Sequence, residues 1–255
     1  YIEFFPNAKQ ENLFIGMIHA FLYMGIPKYI LTDNMKSVVI RRDSEGHPIW
    51  QKDYELFMGN IEFQTKLCKP RHPFTKGAVE RLVRFVKDNF LPGRVFHELT
   101  DLNYEAIQWC NRQNACYHKA VDCIPKDKHS AECMKSATKL ENTIELSYYL
   151  CPERKISFDG FVNYEGRRFG VPYWYTEKFC RVMRDGYTLF LYDSQMTKIL
   201  TTHNVTWSRK DSYCRDQHKT EQPTAPVKIH IQQLSPQPQK TGFERFNFEE
   251  GLWNE

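Results

Sequence analysis

The stretch Tyr29-Ile30-Leu31-Thr32 most narrows the folds open to this chain. It is short, apolar and β-prone, and it is bounded by Ile26-Pro27 and Asp33-Asn34, so it reads as a buried strand. Before it, Gln10–Gly25 carries Leu13, Met17, Phe21 and Met24 at helical spacing, with Gly25 as a stop signal. Tyr1–Phe5 reads as another strand, ended by Pro6-Asn7. Beyond Asp33, residues 41–53 read as a polar loop, Tyr54–Met58 as a short helix stopped at Gly59-Asn60, and Ile61–Cys68 as a strand. Two prolines keep Lys69-Pro70-Arg71-His72-Pro73 out of a helix. A strongly patterned helix then opens at Gly77, with Val79, Leu82, Val83, Val86 and Phe90 expected to face a core. A further helix over 101–115 turns Leu102, Ala106, Ile107 and Cys110 inward. This order of strands and helices predicts α/β layers.

Two carboxylates stand out in that frame. Asp33 ends the apolar strand and Glu80 sits in the first turn of the helix at Gly77. A hard divalent cation needs only one or two protein carboxylates when substrate phosphates complete its shell. A carboxylate pair is weak by itself, because most Asp and Glu are simply solvated. The charge around Glu80 strengthens it. Residues 66–94 hold eight Lys/Arg (Lys66, Lys69, Arg71, Lys76, Arg81, Arg84, Lys87, Arg94) and two acids, Glu80 and Asp88. The whole chain carries a formal charge of only +4, so this is a local basic field around an acidic site. Cations that hold phosphates beside carboxylates that hold metal suit a nucleic-acid enzyme, and the competing reading is a solvated helix face. Glu80, Arg84 and Lys87 fall on one polar face of the helix at i, i+4 and i+7.

The 255 residues suffice for one large or two modest domains. No apolar run approaches the roughly 20 residues that span a bilayer, and no secretory signal is visible. Eight cysteines without a CxxC pair favour a reduced, cytoplasmic setting. Residues 120–145 are polar and connect two halves. From Arg154 to Trp207, short β-rich runs alternate with the turn signals Asp159-Gly160, Glu165-Gly166, Asp185-Gly186 and Asp193-Ser194, which predicts a small barrel. Past Arg209 periodicity is lost, and Pro223, Pro226, Pro236 and Pro238 punctuate a flexible segment. An aromatic cluster follows, with Phe243, Phe246, Phe248, Leu252 and Trp253 among Glu244, Glu249 and Glu250.

Thr32-Asp33-Asn34 and the run Lys69-Pro70-Arg71-His72-Pro73-Phe74-Thr75-Lys76-Gly77-Ala78-Val79-Glu80-Arg81 together resemble the DDE transposases of the retroviral-integrase-like superfamily. The run from Val79 to Leu91, and Glu3-Phe4-Phe5-Pro6-Asn7-Ala8-Lys9-Gln10-Glu11-Asn12, are similar to the IstA family of insertion-sequence transposases. Met35 after Asp33-Asn34, where many superfamily members have Gly, suits the IstA branch. The resemblance covers about residues 1–120 by motif and 150–207 only by architecture. It implies an RNase H-like, integrase-type catalytic core at 1–135, a linker at 136–153, a small all-β barrel at 154–209 for DNA binding or assembly, and a flexible tail at 210–255.

The family holds two Mg²⁺ ions, with Mn²⁺ as a substitute, on three carboxylates. Asp33 and Glu80 match the second and third. The first is expected on an earlier strand, so the chain reads as a fragment that lacks it. The resemblance further implies 3′-end cleavage and strand transfer, transposon-end and target DNA, a homo-oligomer on DNA, an IstB-type AAA+ ATPase helper, and a bacterial, nucleoid-associated location away from membranes. Arg84 and Lys87 match positions that grip terminal nucleotides.

Other DNA-binding candidates are Arg71, His72, Lys76 and Arg81, with Arg167 and Arg168 in the second half, where ordinary solubility is the competing reading. Phe246 and Trp253 are the candidate anchors of a docking tail, against packing on the chain's own second half or on a neighbouring protomer. Cys110, Cys116, His118, Cys123, His129 and Cys133 do not fit compact zinc spacing. Tyr173-Trp174-Tyr175 reads as barrel core rather than a base-stacking platform. Two other function classes remain open: a metal-dependent nuclease of the same fold, and a non-catalytic DNA-binding or assembly module.

Overall fold

Helix α1 (Gln10–Met24) is apolar on several sides, and its neighbours decide which side is buried. Phe21 is buried as expected, but Phe14 and Ile18 join it rather than Leu13 and Met17, and Met24 is exposed. The reason is an aromatic cluster beside the helix: the Phe14 ring stacks on Phe57 at 4.4 Å, and Phe21 meets Phe63 at 5.3 Å. Gly25, at φ 82°, ends the helix with its N–H on the Phe21 carbonyl at 2.8 Å.

The computed structural model describes residues 1–68, 77–133, 140, 143–206 and 208–218. It contains two units, Tyr1–Tyr149 and Leu150–Glu255. In the first, β1 (Tyr29–Thr32) pairs in parallel with β4 (Gln64–Leu67), in the register Tyr29↔Gln64 to Thr32↔Leu67. Parallel strands need a long crossover, and residues 33–63 supply it. They hold an antiparallel hairpin, β2 (Val39–Arg42) with β3 (Pro48–Trp50), and α2 (Lys52–Ile61). The expected polar loop over 41–53 is therefore part of a hairpin. Its turn is made by Asp43, whose Oδ1 accepts the N–H groups of Glu45 (3.0 Å) and His47 (2.7 Å). Desolvation pushes the Asp43 carboxyl up, but the backbone N–H groups of His47 and Glu45 pull it down by more, so it titrates below its ordinary range. Helix α2 buries Tyr54, Phe57 and Ile61, and Tyr54 shares a 2.7 Å hydrogen bond with Thr65 of β4.

Tyr1–Phe5 pairs with no strand among the described residues, contrary to expectation. The side-chain amide of Asn103 takes a strand's place, accepting from the Phe4 N–H at 2.8 Å and donating to the Phe4 carbonyl at 3.0 Å. Gly16 admits the Phe5 ring, which would lie 2.9 Å from any Cβ there. Helices α3 (Gly77–Asn89) and α4 (Leu99–Asn114) close a second core of Val86, Phe90, Ala106, Trp109 and Cys110, with Ile2 and Phe4 against it. The polar stretch after α4 forms α5 (Pro125–Lys128), a π-turn (His129–Cys133) and α6 (Ile144–Leu150).

The second unit is a four-stranded antiparallel sheet in the order β10-β9-β8-β5, from β5 (Glu153–Lys155), β8 (Phe179–Asp185), β9 (Thr188–Tyr192) and β10 (Ile199–Asn204). A separate hairpin, β6 (Phe161–Tyr164) with β7 (Arg167–Gly170), turns at Glu165-Gly166, where φ is positive at both residues as tight hairpins require. Val162, Phe169 and Val171 pack on Cys180, Val182, Leu189, Leu191, Leu200 and Val205. The expected barrel does not close. The free edge of β7 is taken by the segment after β10: Gly170 N–H donates to the Ser212 carbonyl (2.8 Å), and Ser212 N–H to that of Arg168 (2.9 Å).

Residues 211–217 thus pack on this unit, although the flexible tail was expected from 210. Gln217 is 7% exposed and donates to the Gly160 carbonyl at 2.8 Å. Among the described residues no helix is long and apolar enough to cross a membrane; the rest of the expected tail lies outside them.

His203 of β10 locks this arrangement. A carbonyl can only accept, so Nε2–H donates to Gly170 at 2.8 Å, and Nδ1 accepts from the Ser212 hydroxyl at 2.9 Å. Burial lowers its pKa from 6.5, against the raising effect of the Gly170 carbonyl. The folded state therefore binds fewer protons than the unfolded state below that value. Stability of the second unit should be fully present above about pH 7 and fall as pH drops below about 6.5; His203→Gln should flatten that dependence in melting curves across pH 5–8. A Cβ on Gly170 would lie 1.5 Å from Gln217 Oε1. Gly170→Ala should therefore expel Gln217 and cost about 1–3 kcal/mol in denaturant unfolding, and Gln217→Ala should relieve part of that loss.

Candidate functional site

The pairing of β1 with β4 brings two strand ends level. Beyond Thr32↔Leu67, the Cys68 N–H donates to the Thr32 carbonyl at 2.9 Å, so the ladder runs out beside Asp33. Ligands of open α/β sheets bind beyond such carboxyl ends. Asp33 is half-buried there and Asn34 is exposed. Asn34 Nδ2 approaches the Cys68 carbonyl at 3.4 Å, and the Arg42 guanidinium reaches both Asn34 Oδ1 and the Cys68 carbonyl at 3.3 Å.

Glu80 lies in the first turn of α3 and is exposed. Arg81, Arg84 and Lys87 are exposed on the same helix and have no ion-pair partner among the described residues. The helix is anchored at its other end, by Val86 and Phe90. Val79, Leu82 and Val83 were expected to face a core, yet they are 50%, 54% and 47% exposed. The described core ends at Val86, one turn short of them.

Of the expected DNA contacts, Arg71, His72 and Lys76 lie outside the described residues, as do Phe246 and Trp253. In the second unit Arg168 pairs with Asp159 and, at 2.8 Å, with Asp211, and Arg167 donates to the Thr206 carbonyl. Both guanidinium groups are engaged in holding the β6–β7 hairpin. Tyr173 and Trp174 were expected in a core but are exposed, with the Lys198 ammonium 4.3 Å from the Trp174 ring centre. Among the described residues no group of three His, Cys, Asp or Glu is placed to hold a metal ion. The donor chemistry of Asp33 and Glu80 is still that of a hard cation, which takes one or two carboxylates with phosphates and water.

Sequence reasoning passed over Arg42 and left Asn34 without a role. The signal for Asn34 was its place directly after Asp33. For Arg42 there was none, because an arginine in Arg41-Arg42-Asp43 looks like any solvated loop residue.

Curated relatives decide the family. Over 172 residues, 66% of this chain, it is 31% identical to the transposase assigned to insertion sequence element IS5376 of Geobacillus stearothermophilus, covering 42% of that protein. It is 27% identical over 173 residues to the transposase for insertion sequence element IS21 of Pseudomonas aeruginosa, covering 66% of this chain and 43% of the relative. The IS21-like transposase of Bacteroides fragilis matches 78% of this chain at 27% identity, and 39% of its own length is covered. The chain belongs to the IS21-type insertion-sequence transposases. It spans less than half the length of these relatives. No protein-family model matches it.

Exposed cations without an ion-pair partner among the described residues, such as Arg81, Arg84 and Lys87, can neutralise phosphates with release of counterions. Arg84→Ala and Lys87→Ala should each reduce the slope of log K against log salt for DNA binding by about one. An unchanged slope would show that this face is only solvated.

Proposed function

We propose that this chain carries the metal-dependent catalytic site of an IS21-type transposase, in an RNase H-like, integrase-type core. The observation that carries the reading is the placement of Asp33 at the shared carboxyl end of two parallel strands, in a transposase family, with Glu80 on a helix lined by exposed cations. Asp33 and Glu80 are the two hard-oxygen donors, and a third carboxylate comes from outside the described residues. Mg²⁺ bound there, as two ions or with Mn²⁺ in its place, supplies Lewis-acid polarisation of a phosphate and activation of water.

Arg84 and Lys87, with Arg81, hold phosphates beside the carboxylates; Arg71, His72 and Lys76 precede the same helix in sequence. Two displacements at phosphorus follow. In the first, water attacks a phosphodiester at the transposon end, and the 3′-oxygen departs as a free 3′-OH. In the second, that 3′-OH attacks a target phosphate, and the target strand's own 3′-oxygen leaves. Neither step needs a covalent enzyme intermediate, so no nucleophilic side chain is required. The second unit serves DNA binding or assembly. The resemblance to IstA proteins further supports a homo-oligomer on DNA and an IstB-type ATPase helper, with Phe246 and Trp253 as docking anchors.

Asp33→Asn and Glu80→Gln keep volume and remove charge. In the complete transposase each should abolish end cleavage and joining in Mg²⁺ while transposon-end binding stays within about twofold. Substantial strand transfer by either variant would reject the catalytic reading in favour of a DNA-binding module. Cleavage without joining by the unmodified protein would identify a nuclease.

A further inference from the structure

We infer that Arg42 is the positioning residue of this site, fixing the strand end that carries Asp33. The inference rests on the catalytic reading of Asp33. One guanidinium makes three bonds: Nη1 to the Gly46 carbonyl at 2.9 Å, and Nη2 to both Asn34 Oδ1 and the Cys68 carbonyl at 3.3 Å. These acceptors belong to three separate pieces of chain. Asn34 follows Asp33 directly, Cys68 follows the last residue of β4, and Gly46 is in the turn of the hairpin inserted between the two strands. Asn34 closes the triangle through Nδ2 to the Cys68 carbonyl.

The hairpin turn is itself built to present its acceptor. The Asp43 carboxylate takes the Glu45 and His47 N–H groups, and Gly46 adopts φ 86°, where a side chain would be strained. Arg42 Nε is buried and has no acceptor among the described residues. What holds it is the terminal fork. A planar fork can bridge acceptors on different strands at fixed angles, which the single point charge of lysine cannot. The hairpin thus acts as a brace: it leaves the sheet at Asp33 and returns an arginine to the backbone beyond Asp33.

The test uses the complete transposase bound to transposon-end DNA and reads Mn²⁺ affinity from loss of the free-ion EPR signal, with melting temperature and metal-free end binding alongside. Arg42→Ala should weaken Mn²⁺ binding tenfold or more while end binding in EDTA stays within twofold. Arg42→Lys should recover little of that loss, and Asn34→Ala should shift Mn²⁺ affinity in the same direction by less. Unchanged Mn²⁺ affinity in a folded Arg42→Ala or Arg42→Lys protein overturns the inference. So does a loss of metal-free end binding at unchanged Mn²⁺ affinity, which would make Arg42 a DNA contact. If Arg42→Ala fails to fold, Arg42→Lys and Asn34→Ala decide by the same readings. Asp33→Asn separates the two levels. If it retains Mn²⁺ affinity and cleavage, the catalytic reading falls; if it loses both while the Arg42 variants match the unmodified protein, only the brace falls.

Discussion

The parallel pairing of β1 with β4 is the constraint on which the first unit depends. It is a four-residue ladder, too short to be stable alone, so its register must be enforced from outside. The crossover does this with aromatic packing: Tyr54 and Phe57 pack on Phe14 of α1, Phe63 packs on Phe57 and on Phe21 of α1, and Tyr54 bonds Thr65 inside β4. A slip by one residue would turn Thr65 away from Tyr54 and reverse the two faces of β4. It would also separate Asn34 from the Cys68 carbonyl. Core packing and site geometry are therefore one requirement in this unit.

What could be read from the sequence was local. The strand 29–32, the helices at 10–25, 77–90 and 101–115, and the turn dipeptides Glu165-Gly166 and Asp185-Gly186 announce themselves through period and turn chemistry, and the structure has elements or turns at each. What could not be read depended on distant partners. Tyr1–Phe5 reads as a strand because it is a short aromatic and β-branched run ended by Pro6-Asn7, but the backbone hydrogen bonds of Phe4 go to the side chain of Asn103. The barrel fails to close because residues 211–217, polar enough to pass for tail, compete for the β7 edge. Nothing in Asp211-Ser212-Tyr213-Cys214 shows that its backbone will meet Gly170. At the candidate site the same division holds: Asp33 was visible as the residue that ends an apolar run, whereas Arg42 acquires meaning only when β4 brings Cys68 within its reach.

The cations of the two units differ in how far they are already engaged inside the fold. In the second unit Arg168 and Arg184 are paired with carboxylates, Arg184 with Glu165 while mostly buried, and Arg181 is bonded to the Cys151 and Ser194 carbonyls. Moving such a group to a phosphate would mean breaking a bond already made inside the fold and leaving its partner unsatisfied. Arg84 and Lys87 of α3 carry no such cost. Counterion release by exposed cations is what makes phosphate binding favourable and salt-dependent, so α3 is the better-prepared surface although the second unit is also rich in arginine.

The same helix is least supported in the turn that carries Glu80. A 13-residue helix is marginal by propensity and depends on packing for its order. Val86 and Phe90 supply that packing over the last turns, and Phe85 adds a contact to Trp109 at 5.5 Å. Glu80 stands on the opposite end, between Val79 and the pair Leu82-Val83, which are half exposed. These three continue the apolar stripe of Val86 and Phe90 at helical spacing, so the uncovered face is an extension of the core and not a separate patch. Any surface that covers it gains apolar burial and, in the same act, stiffens the turn that carries Glu80. Placement of that carboxylate is thereby coupled to packing on a face that has no part in the strand pairing next to Asp33.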